Sequence, residues 1–179
     1  KVARFGRNSY NDSPMDTQTY TRKASYHDYV IDLDKVYYQR IRSEILAHAP
    51  RSGTGRLLDI GCFDGTLAAQ FLPTWECFGV EGNVAACEKA RQKGVQAVLQ
   101  DLEKPLPFDD DTFDCVIAAE IIEHVYDTDL FLEEIRRVLK KGGILVLSTP
   151  NIACLTNRFR LALGLYPRYA EYRAGGAGH

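Results

Sequence analysis

The sequence LLDIGCFDG at residues 57–65 decides the fold class. Its apolar run fits a strand that is buried on both faces, and Gly61 and Gly65 let the backbone approach a ligand where a Cβ atom would collide. Residues 66–72 favour a helix, so the unit is predicted to be strand, turn and helix. A helix N-terminus would then face the ligand with its partial positive charge. The stretch therefore predicts a nucleotide-type cofactor site.

The rest of the chain alternates strand and helix patterns with short connections. Further strands are predicted at 77–80, 95–99, 113–119 and 144–148, and further helices at 34–49, 83–93, 128–140 and 153–163. Gly142 and Gly143 are expected to end the helix at 128–140. This alternation is typical of an α/β fold with a Rossmann-like, doubly wound, mostly parallel sheet, and five of its strands are visible in the sequence.

Length and composition restrict the class of protein. The 179 residues, 45% of them hydrophobic, suit one sizeable core. We expect an N-terminal arm or lid at 1–33, which is polar and rich in tyrosine, and a core domain at 34–179. The net charge of -2 gives no overall electrostatic reason to expect a nucleic-acid partner. The five cysteines include no C-x-x-C pair, and no apolar stretch approaches the roughly 20 residues that span a bilayer, so we expect a reduced, cytoplasmic protein.

The glycine spacing distinguishes between cofactors. A dinucleotide-binding turn has the order G-x-G-x-x-G, whereas Asp59, Gly61 and Gly65 give D-x-G-x-x-x-G, which disfavours a nicotinamide dehydrogenase. The order resembles the first motif of class I S-adenosylmethionine-dependent methyltransferases. The resemblance covers roughly residues 35–151. Within that family, the chain is similar to the small-molecule branch, which includes the ubiquinone-pathway O-methyltransferases. Phe63 departs from this pattern, in which a small residue is expected.

Acidic residues follow the next two predicted strands. Glu81 ends the second strand, where a carboxylate accepts hydrogen bonds from both hydroxyls of a ribose. By resemblance, Asp101 would accept from the adenine amino group, and the backbone of Leu102 would meet the ring. The resemblance implies S-adenosylmethionine as the cofactor, held by Asp59, Gly61, Cys62, Phe63, Gly65, Glu81, Gly82, Asp101, Leu102 and Glu120.

Glu120, Glu123 and His124 follow the fourth strand at spacing i, i+3 and i+4, so one helical turn would place them on one face. Three interpretations stay open. His124, with Glu123, removes a proton from the substrate or contacts it, since imidazole accepts protons near neutral pH. Alternatively the E-x-x-E-H pattern, which resembles small-RNA 2′-O-methyltransferases, binds a divalent metal together with His179. In the third interpretation Glu120 touches the cofactor, while Glu123 and His124 only hold the turn.

The resemblance implies methyl transfer from S-adenosylmethionine to an oxygen, or alternatively a nitrogen, of a small-molecule acceptor. We expect no membrane partner and no metal, and a homodimer is one assembly that we keep open. The alternative function is a methyltransferase-like binding or partner module with weak catalysis, and a metal-dependent RNA 2′-O-methyltransferase is third. The family sheet closes with two more strands, for which the residues after Leu163 show no pattern, so we expect the core domain to be truncated.

Overall fold

The computed structural model describes residues 36–47, 54–72 and 74–167. Its strands are β1 (Gly55–Ile60), β2 (Trp75–Glu81), β3 (Gln96–Leu99), β4 (Phe113–Ala119) and β5 (Leu139–Ser148). Its α-helices are α1 (Val36–Ala47), α2 (Val84–Gln92), α3 (Thr128–Val138) and α4 (Leu155–Ala162), and none of the helices in these ranges is long and apolar enough to cross a membrane. The predicted arm or lid at 1–33 lies outside the described residues.

The five strands form one parallel sheet in the order β3-β2-β1-β4-β5. The order reverses direction between β1 and β4, which is the position where open α/β sheets bind their ligands. The predicted doubly wound, Rossmann-like sheet is therefore confirmed. Strand β5 lies at one edge of the sheet, and no other described strand pairs with its outer side.

Both faces of the sheet are covered, as the apolar strands require. Alternate residues of a strand point to opposite faces, so Leu57 belongs to one core cluster and Leu58 to the other. The first cluster includes Ile45 of α1 and Ala90 of α2, and the second includes Ile135 of α3. These helices cover the sheet on both faces.

The helix predicted at 83–93 is α2, and local contacts fix both of its ends. The Asn83 side chain accepts a hydrogen bond from the Ala86 N–H at 3.0 Å, which is an N-cap. Gly94 follows the helix with φ +88°, the left-handed conformation that ends helices.

The helix predicted at 66–72 is wrong. Only Ala68–Phe71 are helical, as one short 3-10 turn, and Leu72 is already extended with ψ 142°. The reason is Pro73, because a proline disfavours the α conformation of the residue before it. A turn this short has no macrodipole of consequence, so the predicted helix N-terminus does not face the ligand.

The end of the helix at 128–140 is also different from the prediction. Helix α3 ends at Val138, and Gly142 and Gly143 lie within β5. Leu139 already pairs with Phe113 of β4, and this pairing starts the strand before the glycines.

Candidate functional site

The structure brings the predicted acidic residues to one edge of the sheet. Asp59 is the second-last residue of β1, Glu81 is the last of β2, and Asp101 and Glu120 follow β3 and β4 closely. Because all these strands are parallel, their carboxyl ends meet at the same edge. The order of the strands therefore places the residues side by side, although they are far apart in the sequence.

The turn after β1 depends on its glycines. Gly61 has φ +74°, and its N–H and that of Cys62 both donate to the Val80 carbonyl, at 2.8 and 3.1 Å. A Cβ atom at position 61 would lie 2.8 Å from the Ile121 side chain. Gly65 has φ +75°, and a Cβ atom there would lie 2.8 Å from the backbone of α2. Both positions therefore require glycine, and the turn stays close to the sheet.

Glu81 is hydrogen-bonded to the loops on either side of it. Its Oε2 accepts from the Phe63 N–H at 2.9 Å, and its Oε1 accepts from the Asn83 N–H at 2.8 Å. Burial raises the pKa of Glu81, and these N–H groups, with that of Gly82, act in the opposite direction. Since a carboxylate has about four acceptor positions, it keeps capacity for a ligand hydroxyl.

Phe63 has φ +49°, which is uncommon for a large residue. This conformation directs its N–H toward Glu81, so the departure from the small residue of the motif accompanies a specific hydrogen bond. The aromatic side chain is half-buried beside the turn.

Cys62 turns its side chain inward. It is 2% exposed, and a Cβ atom on Gly79 would lie 2.5 Å from its Sγ. Burial raises the pKa of this thiol, with smaller contributions in the same direction from Asp59 and Glu81. Only the backbone of Cys62 is therefore placed to contact a cofactor.

One contact that braces the turn was missed by the sequence analysis. Lys93, after the end of α2, donates to the Asp64 carboxylate at 2.6 Å and also to the Thr66 hydroxyl. Burial raises the pKa of Asp64, but the hydrogen bonds from Lys93 and Thr66 outweigh it, so the pKa is below its usual value. Lys93 and Asp64 are 29 positions apart, so no local sequence pattern indicates that they form an ion pair.

Asp101 orders the loop after β3. Its Oδ1 accepts from the Glu103 N–H at 3.0 Å, while the N–H of Gln100 donates to the Glu81 carbonyl at 2.9 Å. Leu102 is half-buried and packs against the α3 side of the core. The predicted adenine contacts of Asp101 and Leu102 stay predictions, because the structure gives only their positions.

The predicted helical face of Glu120, Glu123 and His124 is wrong. Glu120 has φ +54° and precedes a short 3-10 helix, Ile122–His124, so it does not share a helical turn with the other two. Its carboxylate accepts from the Ser148 hydroxyl at 2.8 Å, which holds it against the end of β5. Glu123 accepts from the Thr149 hydroxyl at 3.3 Å, and Glu123 and His124 are exposed.

Across the described ranges, no three His, Cys, Asp or Glu side chains are grouped so that they could hold a metal ion. The metal interpretation needs Glu120, Glu123 and His124 on one helical turn. Glu120 has a left-handed backbone conformation and therefore lies outside the turn that contains the other two. His179, its fourth ligand, lies outside the described residues.

The burial of Asp59 makes the free energy of unfolding depend on pH. It is 3% exposed, and burial, followed by the charge of Glu81, raises its pKa to about 8. The folded protein thus holds this proton more tightly than the unfolded chain, in which the pKa is about 4. The free energy of unfolding therefore falls as the pH rises from about 4 to about 8.

Asp59→Asn is expected to make this fall shallower, because the amide keeps the shape of the side chain and does not titrate. One such group contributes up to about 1.4 kcal/mol per pH unit. Urea unfolding of both proteins at pH 5, 6, 7 and 8 measures the difference. Carboxyls whose pKa is lowered in the folded protein, such as Asp64, change the free energy of unfolding only below about pH 4, which is outside the range of these measurements. Parallel curves for the two proteins would contradict the assignment.

The chain is similar to known methyltransferases. The chain is 30% identical over 145 residues to a ubiquinone biosynthesis O-methyltransferase of Chelativorans sp., covering 74% of this chain and 55% of that protein. It is 28% identical over 124 residues to a probable S-adenosylmethionine-dependent methyltransferase of Mycobacterium tuberculosis, covering 68% and 45%. The chain spans about half the length of these relatives.

Among solved structures, the YcgJ protein of Bacillus subtilis superposes with a TM-score of 0.54 at 30% identity, over 61% of this chain and 50% of that one. The family model of a methyltransferase domain matches residues 58–147, which include the second half of β1, all of β2 to β4 and all of β5 except its last residue. The match contains the turn at Gly61 and the acidic residues at the ends of the strands. By this match, the chain belongs to the methyltransferase domain family.

Proposed function

We propose that the chain binds S-adenosylmethionine at the carboxyl edge of the sheet and transfers its methyl group to an oxygen of a small-molecule acceptor, with nitrogen as the second possibility. The observation that carries the proposal is the Glu81 carboxylate, held by Phe63 and Asn83 at the end of β2. A half-buried carboxylate at this position suits the two hydroxyls of a ribose. The relative named as an S-adenosylmethionine-dependent methyltransferase supports this choice of cofactor.

The residues of the site fit this cofactor in three ways. Gly61 and Gly65 hold the backbone of the turn close to Ile121 and Ala90, at the edge where open α/β sheets bind their ligands. Glu81 offers hydrogen-bond acceptors, and Asp101 stands one strand farther along the same edge. Glu81 and Glu120 supply carboxylates that suit a ligand with a positive sulfur and a positive amino group.

When bound, S-adenosylmethionine supplies a methyl group that its positive sulfur has already activated. The protein then has to hold the acceptor in line and exclude water, and positioning of this kind supplies a large part of the rate. Glu120, fixed by Ser148, would bind the amino-acid end of the cofactor, and Thr149-Pro150-Asn151 would line the acceptor side.

We assign proton removal to His124. It stands in the turn after β4, beside Glu123, whose carboxylate is held by Thr149. A hydroxyl acceptor loses its proton as the methyl group arrives, and imidazole accepts protons near neutral pH. The relative named as an O-methyltransferase supports oxygen as the acceptor atom.

Calorimetry with the whole chain tests the proposal. We expect one S-adenosylmethionine per chain with a dissociation constant in the micromolar range, about -8 kcal/mol of binding free energy, and no binding of NAD. A chain that binds neither molecule would overturn the proposal. Binding without formation of S-adenosylhomocysteine, across phenolic, carboxylic and amine acceptors, would instead favour the alternative, a binding module without catalysis.

A further inference from the structure

A single guanidinium on α3 holds the loop between β3 and β4. Arg137 donates to the Phe108 carbonyl at 2.7 Å and to the Leu106 carbonyl at 3.0 Å. It also forms ion pairs with Glu134 at 2.7 Å and with Asp110 at 2.9 Å. The planar fork of N–H donors in arginine makes this combination possible, and the ammonium of a lysine could not reproduce it. One side chain therefore joins the helix to a distant loop.

Arg137 and Glu134 together fix both backbone polar groups of Leu106. The Glu134 Oε2 accepts from the Leu106 N–H at 2.8 Å, while Arg137 donates to the Leu106 carbonyl. Leu106 is 5% exposed, so its polar groups need partners within the protein. The hydrogen bonds from Arg137 hold the pKa of Glu134 below its usual value, and the pair is therefore charged at neutral pH. The position of Leu106 depends on this ion pair.

The anchored Leu106 closes the turn that follows β3, which comprises residues 101–106. The turn is preceded by Gln100, whose N–H donates to the carbonyl of Glu81 at the end of β2, at 2.9 Å. Asp101 and Leu102 lie within the turn, and Leu102 packs against the core cluster to which Leu106 belongs. The sheet therefore holds one end of the turn, and α3 holds the other.

The loop continues along α3 through contacts of the backbone. The N–H of Asp111 donates to the Arg137 carbonyl at 2.9 Å, and the N–H of Thr112 donates to the Val138 carbonyl at 2.8 Å. Because backbone groups make these bonds, they remain when the Arg137 side chain is replaced. A variant at position 137 therefore removes the side-chain anchor of the turn while the chain still enters β4 beside α3.

We propose that Arg137 is a positioning residue for cofactor specificity, which holds the turn at 101–106 so that Asp101 and the Leu102 backbone recognise the edge of the adenine ring. This inference rests on the proposed function. Arg137 acts through Leu106 and does not touch the cofactor. Without its second anchor the turn has more conformations to lose on binding, and the contacts with the base weaken first.

A pair of ligands measures the recognition of the base. S-adenosylhomocysteine carries the adenine amino group, whereas S-inosylhomocysteine has a carbonyl there, which would face the Asp101 carboxylate. We expect the wild type to bind the adenosyl ligand about 10-fold or more tightly in calorimetry than the inosyl ligand, since a hydrogen bond to a charged group is lost. Arg137→Lys keeps the charge and loses the fork, and this preference should fall below about threefold.

The preference separates positioning from general stabilisation, because a ratio of two dissociation constants cancels any loss of folded protein. Arg137→Ala should lower the preference at least as far as Arg137→Lys does. Arg136→Ala removes the same charge from the adjacent, exposed position of α3 and should keep the preference of the wild type. Arg137 variants that bind both ligands more weakly by the same factor, with the preference retained, would overturn the inference.

The wild type alone distinguishes this inference from the proposed function. If it binds S-adenosylhomocysteine and S-inosylhomocysteine equally well, the cofactor site stands and recognition of the base by the turn is overturned. If it binds neither ligand, both the proposed function and the role of Arg137 are overturned. A preference that is present in the wild type and in Arg136→Ala, and lost in both Arg137 variants, is the expected result.

Discussion

Glu81→Gln is expected to raise the dissociation constant for S-adenosylmethionine by about 100-fold or more. Hydrogen bonds to a charged acceptor are worth about 1.5–3 kcal/mol each, and the ribose would make two of them. The amide also places an NH₂ group where the carboxylate now accepts from Phe63 and Asn83, so it opposes at least one of these N–H donors. The turn that carries Phe63 would then lose its anchor as well.

Glu76→Gln is the matched control. It lies on the same strand, but at the other end, where it pairs with Arg56 and Gln96 on the surface. Its effect on cofactor affinity should be less than about twofold, because exposed ion pairs contribute little and the residue is remote from the edge. Calorimetry measures both variants, and a thermal melt confirms that each is folded. Comparable losses in the two variants would contradict the role of Glu81.

The sequence predicted the sheet well because its signals are local. The four runs around 57–60, 77–80, 95–99 and 113–119 are apolar, short and bounded by turns, and the structure extends none of them by more than two residues at either end. Glu81 was found for the same reason, since a carboxylate directly after a buried strand must stand at the sheet edge.

The features that were predicted wrongly depend on contacts between distant parts of the chain. Glu120 leaves the helical conformation because its N–H and carboxylate both bond to Ser148, 28 positions away. The early start of β5 comes from the pairing of Leu139 with Phe113. Neither partner can be identified from the local pattern, in which E-x-x-E-H looks helical and G-G looks like a helix end.

Polar side chains at the two ends of the strands are satisfied by different parts of the chain. At the amino ends, Asp114 accepts from the Lys140 side chain of β5 and from the backbone N–H of Arg56 in β1. At the carboxyl ends, Glu81 accepts from the N–H groups of Phe63 and Asn83 in the neighbouring loops. Glu81 keeps spare acceptor capacity, which a bound ribose would use.

His124→Ala is expected to lower kcat by about 100-fold or more while the dissociation constant for S-adenosylmethionine changes less than about threefold. General base catalysis contributes about 10²–10⁴ to a rate, and an exposed residue in the turn after β4 has little part in holding the fold. The rate is followed as formation of S-adenosylhomocysteine with an acceptor that the wild type methylates. Tyr126→Phe, an exposed neighbour two positions away, should keep the wild-type rate.

Chemical rescue distinguishes a base from a structural residue. Added imidazole should restore part of the rate lost in His124→Ala, because the space left by the exposed side chain opens to solvent. If the variant instead lost cofactor affinity and thermal stability together, and added imidazole restored no rate, His124 would hold the turn and the proton would leave by another route.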